Sequence, residues 1–497
     1  MTDGIWSRRY AAVTLSNLAV VSIAAFDGLA ITAALGNIAE DLGRVDLLPW
    51  VITAYLATSA VAVIVAGPVI DAIGVRRTFR VTGVWFLAWS AAAAAAPSMP
   101  LLIGARALQG IGGGMVMAVA LASVGVTYPT TIRPRALAAN SMVWGAMGFG
   151  GPALTGLLLA FGDWREVFIV QLPITAVALA VGWNSLPGVA AHAVPARFDR
   201  VGVPILAVLT LSSLVAVSEV GDRWGVVAGG TVLSVVAAAV YWWHAGRASE
   251  PVVARRHVAG FPAWAVHVVV VITLTAGLAL DNYLPIYTQV NRGHSESAAA
   301  FTMAFLAVGW TVGSIVYSRR FAHLLAAAVM RGGVSVLLLG CVAAGVAIVR
   351  DWPLGVVLAT YAVVGLGIGT VSTSAMNWLQ DATATVEMGR ATSAHQFVRQ
   401  LGISYGVAAG GAVVLYVVAR QVGDVEIVRD ALAGRDVELG SDAGAAFGDG
   451  LAAVAAMAAG LALIGVCVAT AVVRQARHNE RCQTPCVMPP DGITKGV

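Results

Sequence analysis

The chain has 497 residues, of which 59% are hydrophobic and only 11% charged, with 55 glycines and a formal net charge of +4; its mean hydropathy is +0.83. That composition excludes an ordinary soluble domain and a disordered polymer, and it leaves an integral membrane protein with no soluble domain to spare. The only lysine is Lys495, which excludes a Walker A phosphate loop and a Schiff-base cofactor, because both need a lysine inside the protein.

Apolar runs of roughly 20 residues, enough to span a bilayer core, recur between charged or Pro/Gly punctuation. They predict spans at 11–36, 48–70, 80–97, 100–123, 136–160 and 166–187, then 201–219 and 225–245, then 262–287, 298–317, 323–348, 354–378, 397–419 and 447–473. The runs are too long and too evenly apolar for barrel strands, and an open strand edge in lipid is too costly, so all fourteen are expected to be helices. The first run carries Asp27 and no small-residue cleavage site, so it reads as a retained span rather than a signal peptide.

An even number of spans puts both termini on one side. With that side cytoplasmic, the inner segments hold nineteen arginines, among them Arg8, Arg9, Arg76, Arg77, Arg133 and Arg135, and the outer segments hold eight. Positive residues in short loops stay inside, so both termini are expected in the cytoplasm. The basic rim suits an anionic lipid leaflet, not nucleic acid. Cys341 and Cys467 lie in spans, while Cys482 and Cys486 form a pair in the tail, too few ligands for a metal site. The tail, 474–497, is polar and Pro-containing and is expected to be disordered. The segment 420–446 carries six acids, Asp424 to Asp442, and reads as a solvated outer loop or a cation-attracting vestibule.

Charges inside spans are costly unless paired or hydrated, so each is a functional candidate. Asp27 in span 1, Arg106 in span 4, Asp281 late in span 9 and Arg399 in span 13 are the four. Either carboxylate can serve as the protonatable group, with Arg106 and Arg399 as charge partners; the alternative is a permanent pair, such as Asp27 with Arg106, that only fixes packing. Tyr55, Trp144, Tyr283, Tyr287, Asn377 and Gln396 are candidate cavity groups, since aromatic and amide side chains suit amphipathic ligands. His267, His323 and His395 read as isolated packing or interface residues.

Between spans 2 and 3 the chain reads GPVIDAIGVRR, with Gly67, Asp71, Gly74, Arg76 and Arg77 in the pattern G-x-x-x-D-x-x-G-x-R-R. This resembles the loop signature of the major facilitator superfamily, whose members use it to latch the outward-open state on the cytoplasmic side; Ala72 and Val75 stand where basic residues are common. RALQGIGGG in span 4 is similar to the family's intramembrane arginine and glycine face. GAMGFGGPALTG in span 5, with Gly148, Gly151, Pro152 and Gly156, is similar to the antiporter motif, although Thr155 replaces a glycine. FDGLAITAALGNIAEDL, PWVITAYLA, DWREVFIVQLP, FDRVG and GRATSAHQFVRQLGISYGVA resemble the fourteen-helix drug/proton antiporter branch.

The resemblance implies an all-α major facilitator fold: a six-helix bundle over 1–187, two extra helices in 188–250 and a second six-helix bundle over 251–473. Weak internal symmetry agrees, since ARALQGIGGG in span 4 mirrors TYAVVGLGIG in span 12, and GPVIDAIGVRR has a degraded counterpart in GSIVYSRR, with Tyr317 in place of Asp71. The implied function is proton-coupled export of hydrophobic or amphipathic compounds across a plasma membrane, of the multidrug-efflux type. Alternatives are a lipid exporter on the same fold, or a non-transporting receptor or scaffold. No enzyme activity, cofactor, metal or nucleotide is expected; the partners are bilayer lipid, an amphipathic small molecule and protons.

Overall fold

The computed structural model describes residues 4–44, 47–188, 199–219, 223–281, 283–295, 299, 301–422 and 441–483. Among them are fourteen helices of 15 residues or more and no strand. They are α1 Ala11–Leu42, α2 Leu48–Ile73, α3 Val75–Ala94, α4 Met99–Thr127, α5 Arg133–Phe161, α6 Gln171–Ser185, α7 Gly202–Ser218, α8 Trp224–Ala245, α9 Ala263–Leu278, α10 Thr302–Val316, α11 Ala326–Val349, α12 Leu354–Asp381, α13 Met388–Gln421 and α14 Ser441–Gln483. Each falls on a predicted run, because a chain this apolar satisfies its backbone polar groups most cheaply within its own helices.

The predicted count of fourteen crossings is not carried by length and apolarity alone. Among the described residues nine helical spans are long and apolar enough to cross a membrane, or ten if the bent α5 is one span. Helices α7 and α9 are apolar but shorter. Helix α3 carries Arg76, Arg77 and Arg80 in its first turns, and α10 is 15 residues long before a π-helical turn, Tyr317–Phe321.

Three further expectations change. The run predicted as one span over 262–287 breaks after Leu278 and resumes as Leu284–Val290, with Pro285 at the start of the second piece, where its missing N–H is harmless. The tail expected to be disordered from 474 continues α14 as helix to Gln483, because Val472, Val473 and Ala476 bury against Ala265 and Ala327. The acidic stretch 423–440 lies outside the described residues.

Helices α1–α6 pack chiefly on one another, as do α9–α14, and the two groups meet along α2 with α13 and α5 with α10. Both groups use glycine for close approach. A Cβ on Gly110 or Gly114 of α4 would run into Tyr55, Thr58 and Ser59 of α2, and one on Gly365 or Gly369 of α12 would run into Leu306 and Trp310 of α10. Two symmetry-related seams are thus built from the two mirrored sequence stretches, since small residues let backbones approach where lipid offers no hydrophobic drive.

Helices α7 and α8 form a pair outside these groups, with α7 resting on α2 and α13. The Asp199 carboxylate of FDRVG joins them, accepting from the Gly202 amide (2.7 Å), the Val252 amide (3.2 Å) and His244 Nε2 (2.8 Å). At the far end of α1, Asp41 ties α1 to the start of α6 by accepting from Trp164 Nε1 (3.0 Å) and Arg165 Nη1 (2.8 Å). Those hydrogen bonds, Trp164 first, hold its carboxyl below the ordinary value of 3.8.

Candidate functional site: a buried ion pair and a closed seam

Inside the first group, the α4 side chain of Arg106 is 2% exposed and the α1 side chain of Asp27 is fully buried. Arg106 Nη1 donates to Asp27 Oδ1 (2.8 Å) and Oδ2 (3.0 Å) and to Gln109 Oε1 (2.7 Å), and Nε donates to the Val51 carbonyl (3.2 Å). Gln171 Nε2 donates to Asp27 Oδ1 at 3.1 Å, and Gln109 Nε2 to Ser90 Oγ at 2.8 Å. The Tyr55 ring lies 4.2 Å from the guanidinium carbon and Phe168 5.7 Å. Five helices therefore meet at one charge pair, each contributing a polar or aromatic group. Such closure is what makes a buried pair tolerable: desolvation is repaid only when the remaining donors and acceptors are also engaged. Next to it, Val20, Ile23, Tyr55, Phe86, Met117 and Leu179 line a small apolar recess.

The second feature closes the Asp71 end of the molecule. Asp71, at the C-terminal end of α2, accepts from the backbone amides of Gly389 (2.7 Å) and Arg390 (3.0 Å), the first turn of α13. A carboxylate there satisfies two amides that the helix itself leaves unpaired and meets the positive end of its dipole. The contact requires two glycines: a Cβ on Gly67 would lie 2.9 Å from the Arg390 Cα, and one on Gly389 2.6 Å from the Gly67 carbonyl oxygen. Gly74 turns the chain into α3 with φ +82°, a region that disfavours side chains. Arg76 Nε donates to the Leu186 carbonyl (2.6 Å), tying the turn to α6. Arg77 makes no hydrogen bond or ion pair among the described residues and is exposed.

The junction of α5 with α10 and α12 is closed differently. Arg133, opening α5, forms an ion pair with Asp381 at the end of α12, and Asn377 Nδ2 donates to the same carboxylate at 2.9 Å. Gln380 Nε2 reaches across to the Leu121 carbonyl at 3.0 Å. Tyr317, fully buried, opens the π-helical turn after α10 where the repeat would have placed a carboxylate, and Asp381 of the neighbouring helix supplies it instead.

The other candidates are scattered. Asp281 lies in the break after α9, with Oδ1 buried and without a hydrogen-bond partner. Arg399 pairs with no described carboxylate; its guanidinium carbon is 5.1 Å from the Trp310 ring centre. The six cavity candidates are not gathered in one place. Tyr55 covers Arg106, Trp144 is 46% exposed, and Tyr283 Oη donates to the Val407 carbonyl (2.8 Å). Tyr287 accepts from Arg292 (2.8 Å), Asn377 holds Asp381, and Gln396 has a buried Oε1 without a partner. Gly148 packs against Ala307 of α10, Gly151 is buried, and Gly156 faces open space; the Pro152 side chain lies outside the described set. His267 and His395, expected to be isolated, stack on one another with ring centres 5.3 Å apart. No group of three or more metal-ligating side chains occurs among the described residues.

Sequence reasoning missed Gln109, Gln171, Arg133 and Asp381 as site residues. Gln109 was signalled by its i+3 spacing from Arg106, and the Arg133–Asp381 closure by the repeat itself, since a seam that lost its carboxylate at Tyr317 needs another.

The sequence profile of the Major Facilitator Superfamily matches residues 16–407. An uncharacterized MFS-type transporter of Mycobacterium tuberculosis is 28% identical over 417 residues, 81% of this chain and 59% of that protein, so this chain spans well under two thirds of its length. The multidrug transporter protein MdtP of Bacillus subtilis is 27% identical over 424 residues, covering 83% of this chain and 76% of that one. Among solved structures, the human organic anion transporter MFSD10 superposes with a TM-score of 0.63 at 15% identity, over 93% of this chain and 99% of that one; this likeness concerns the fold.

Proposed function

Because the chain belongs to the Major Facilitator Superfamily, we propose that it is a secondary transporter that exports hydrophobic or amphipathic compounds in exchange for protons, by alternating access. In this reading residues 1–187 and 251–473 are the two moving bundles, and the helices within 188–250 ride outside them. Both termini lie in the cytoplasm, so the Asp71 end is the cytoplasmic end of a plasma-membrane protein. Relatives whose names record multidrug transport support the substrate class.

The observation that carries the proposal is the Asp27–Arg106 pair, buried and hydrogen-bonded inside one bundle. Protonation of Asp27 removes one charge of the pair and frees Arg106 and Gln171 to re-pair, which changes the packing of α1, α4 and α6 together. Deprotonation restores the pair. The Asp71 carboxylate on the first turn of α13 holds the cytoplasmic end shut until the bundles rock. Asp281, in the break of α9, is the second candidate proton carrier.

Asp27→Asn keeps the shape but cannot ionise. In proteoliposomes it is expected to retain substrate binding and to lose uptake driven by a pH gradient. Flux equal to wild type in that variant rejects Asp27 and moves the role to Asp281.

A further inference from the structure

In the second group of helices, polar atoms converge without partners. On α13, Thr392 Oγ1, His395 Nδ1, Gln396 Oε1 and Arg399 Nε are buried and make no hydrogen bond; on α9, both ring nitrogens of His267 are in the same condition. Thr392 is fully buried, His395 1% exposed and His267 4% exposed. The two imidazoles stack, and Arg399, one turn beyond His395, lies over the Trp310 ring. Three basic side chains thus lie along one stretch of packing, the two imidazoles buried and Arg399 half-buried.

No described carboxylate answers them. Every acid described at the near end is engaged elsewhere: Asp71 by the amides of 389 and 390, Asp381 by Arg133, Glu387 by Arg256 and His257, and Glu250 by Arg390. Asp281 is fourteen residues from His267 along the same stretch, about 21 Å at helical rise. Imidazoles can stay neutral when buried, but a guanidinium stays charged in any protein environment. The Arg399 side chain is half-buried, its Nε enclosed without a partner and no described carboxylate beside it, and a guanidinium so placed lacks the counter-charge that makes burial tolerable.

We propose that this region is an anion site, in which Arg399 takes a monovalent anionic group on its planar fork, His395, His267 and Gln396 supply further polar contacts, and Trp310 packs against the apolar body beside it. The chemistry fits the carboxylate of an amphipathic acid, since guanidinium forks match carboxylates and the aromatic floor suits an attached ring or chain. Chloride shares the charge but not the fork geometry or the apolar contact. The inference deepens the export reading by naming an acid group on the exported compound, and it rests on that reading only for the direction of transport.

The test is equilibrium binding to the purified full-length protein in neutral detergent, with radiolabelled chloride and radiolabelled 4-phenylbutyrate as probes and 4-phenylbutyramide as uncharged competitor. Saturable binding of 4-phenylbutyrate that the amide fails to displace, lost in Arg399→Gln and kept in Arg320→Gln on the exposed surface, supports the carboxylate. Saturable chloride binding with the same Arg399 dependence, undisturbed by 4-phenylbutyrate, keeps the anion site and rejects the carboxylate. Saturable binding of neither probe, or binding undiminished in Arg399→Gln, overturns the site.

Arg399→Gln is expected to fold with an unchanged or raised thermal midpoint in anion-free buffer, because it removes an uncompensated charge. Should it not fold, Arg399→Lys is read instead. Affinity lower by about tenfold or more supports the fork, and unchanged affinity overturns it. Binding is measured without a gradient, so a negative result leaves proton-driven export through Asp27 standing.

Discussion

Arg106 in the first group of helices is buried, Arg399 in the second is half-buried, and their partners differ as well. Arg106 is surrounded by partners: a bidentate carboxylate, an amide, a carbonyl and two aromatic rings. Arg399 has an aromatic ring and an unused Nε. The repeated architecture offered both halves the same scaffold, with glycine-lined helices pressed together, yet only one half closes its polar network. Position within an apolar run is therefore a poor guide to what a charge does. Whether its donors are spent decides if it holds the fold together or waits for something else.

The largest expected effect tests the closed half. Arg106→Gln leaves Asp27 fully buried with its charge uncompensated, and breaking a buried pair from one side costs about 3–5 kcal/mol. The thermal midpoint in detergent should fall steeply, and adding Asp27→Asn to Arg106→Gln should recover most of the loss. If the single variant is as stable as wild type, the two arginines do not differ as their surroundings indicate.

A smaller effect is expected at the seams. Asp71→Asn keeps one acceptor for the α13 amides but removes the charge, forfeiting about 1–2 kcal/mol of charge-assisted hydrogen bonding and dipole interaction. Distances between spin labels at the Asp71 ends of α2 and α13 should broaden toward longer values. Arg133→Gln should do the same across α5 and α12, because Asp381 then loses its counter-charge. An effect confined to one seam would show that the two closures are unequal despite the repeat.

The smallest effect belongs to an exposed carboxylate of the closed half. Asp41 has its pKa lowered by Trp164 and Arg165, so its contribution to stability is present above the unfolded-state value near 3.8 and is lost as pH falls through the lower folded value. Wild type and Asp41→Asn should differ slightly in thermal midpoint at neutral pH and converge in strong acid. A gap that widens on acidification would contradict the assignment. Solvent exposure keeps the effect far below that of Arg106→Gln.

The helical class and the apolar runs that fold as helices were legible from composition and spacing alone, because an apolar chain satisfies its backbone most cheaply within helices, and the few charges inside those runs stood out for the same reason. The mirrored glycine stretches likewise announced two equivalent seams. What the sequence could not decide was pairing. Asp27 and Arg106 are 79 residues apart and Asp71 reaches amides more than 300 residues away, and such contacts depend on which helix faces which. The same limit explains the misreadings: His267 and His395 looked isolated until α9 packed on α13, and Tyr317 looked like a lost latch until Asp381 arrived from the next helix. Periodicity along a chain reports the solvent each segment prefers, whereas the partner of a charge is chosen by the packing of helices across space, and only the tertiary structure contains it.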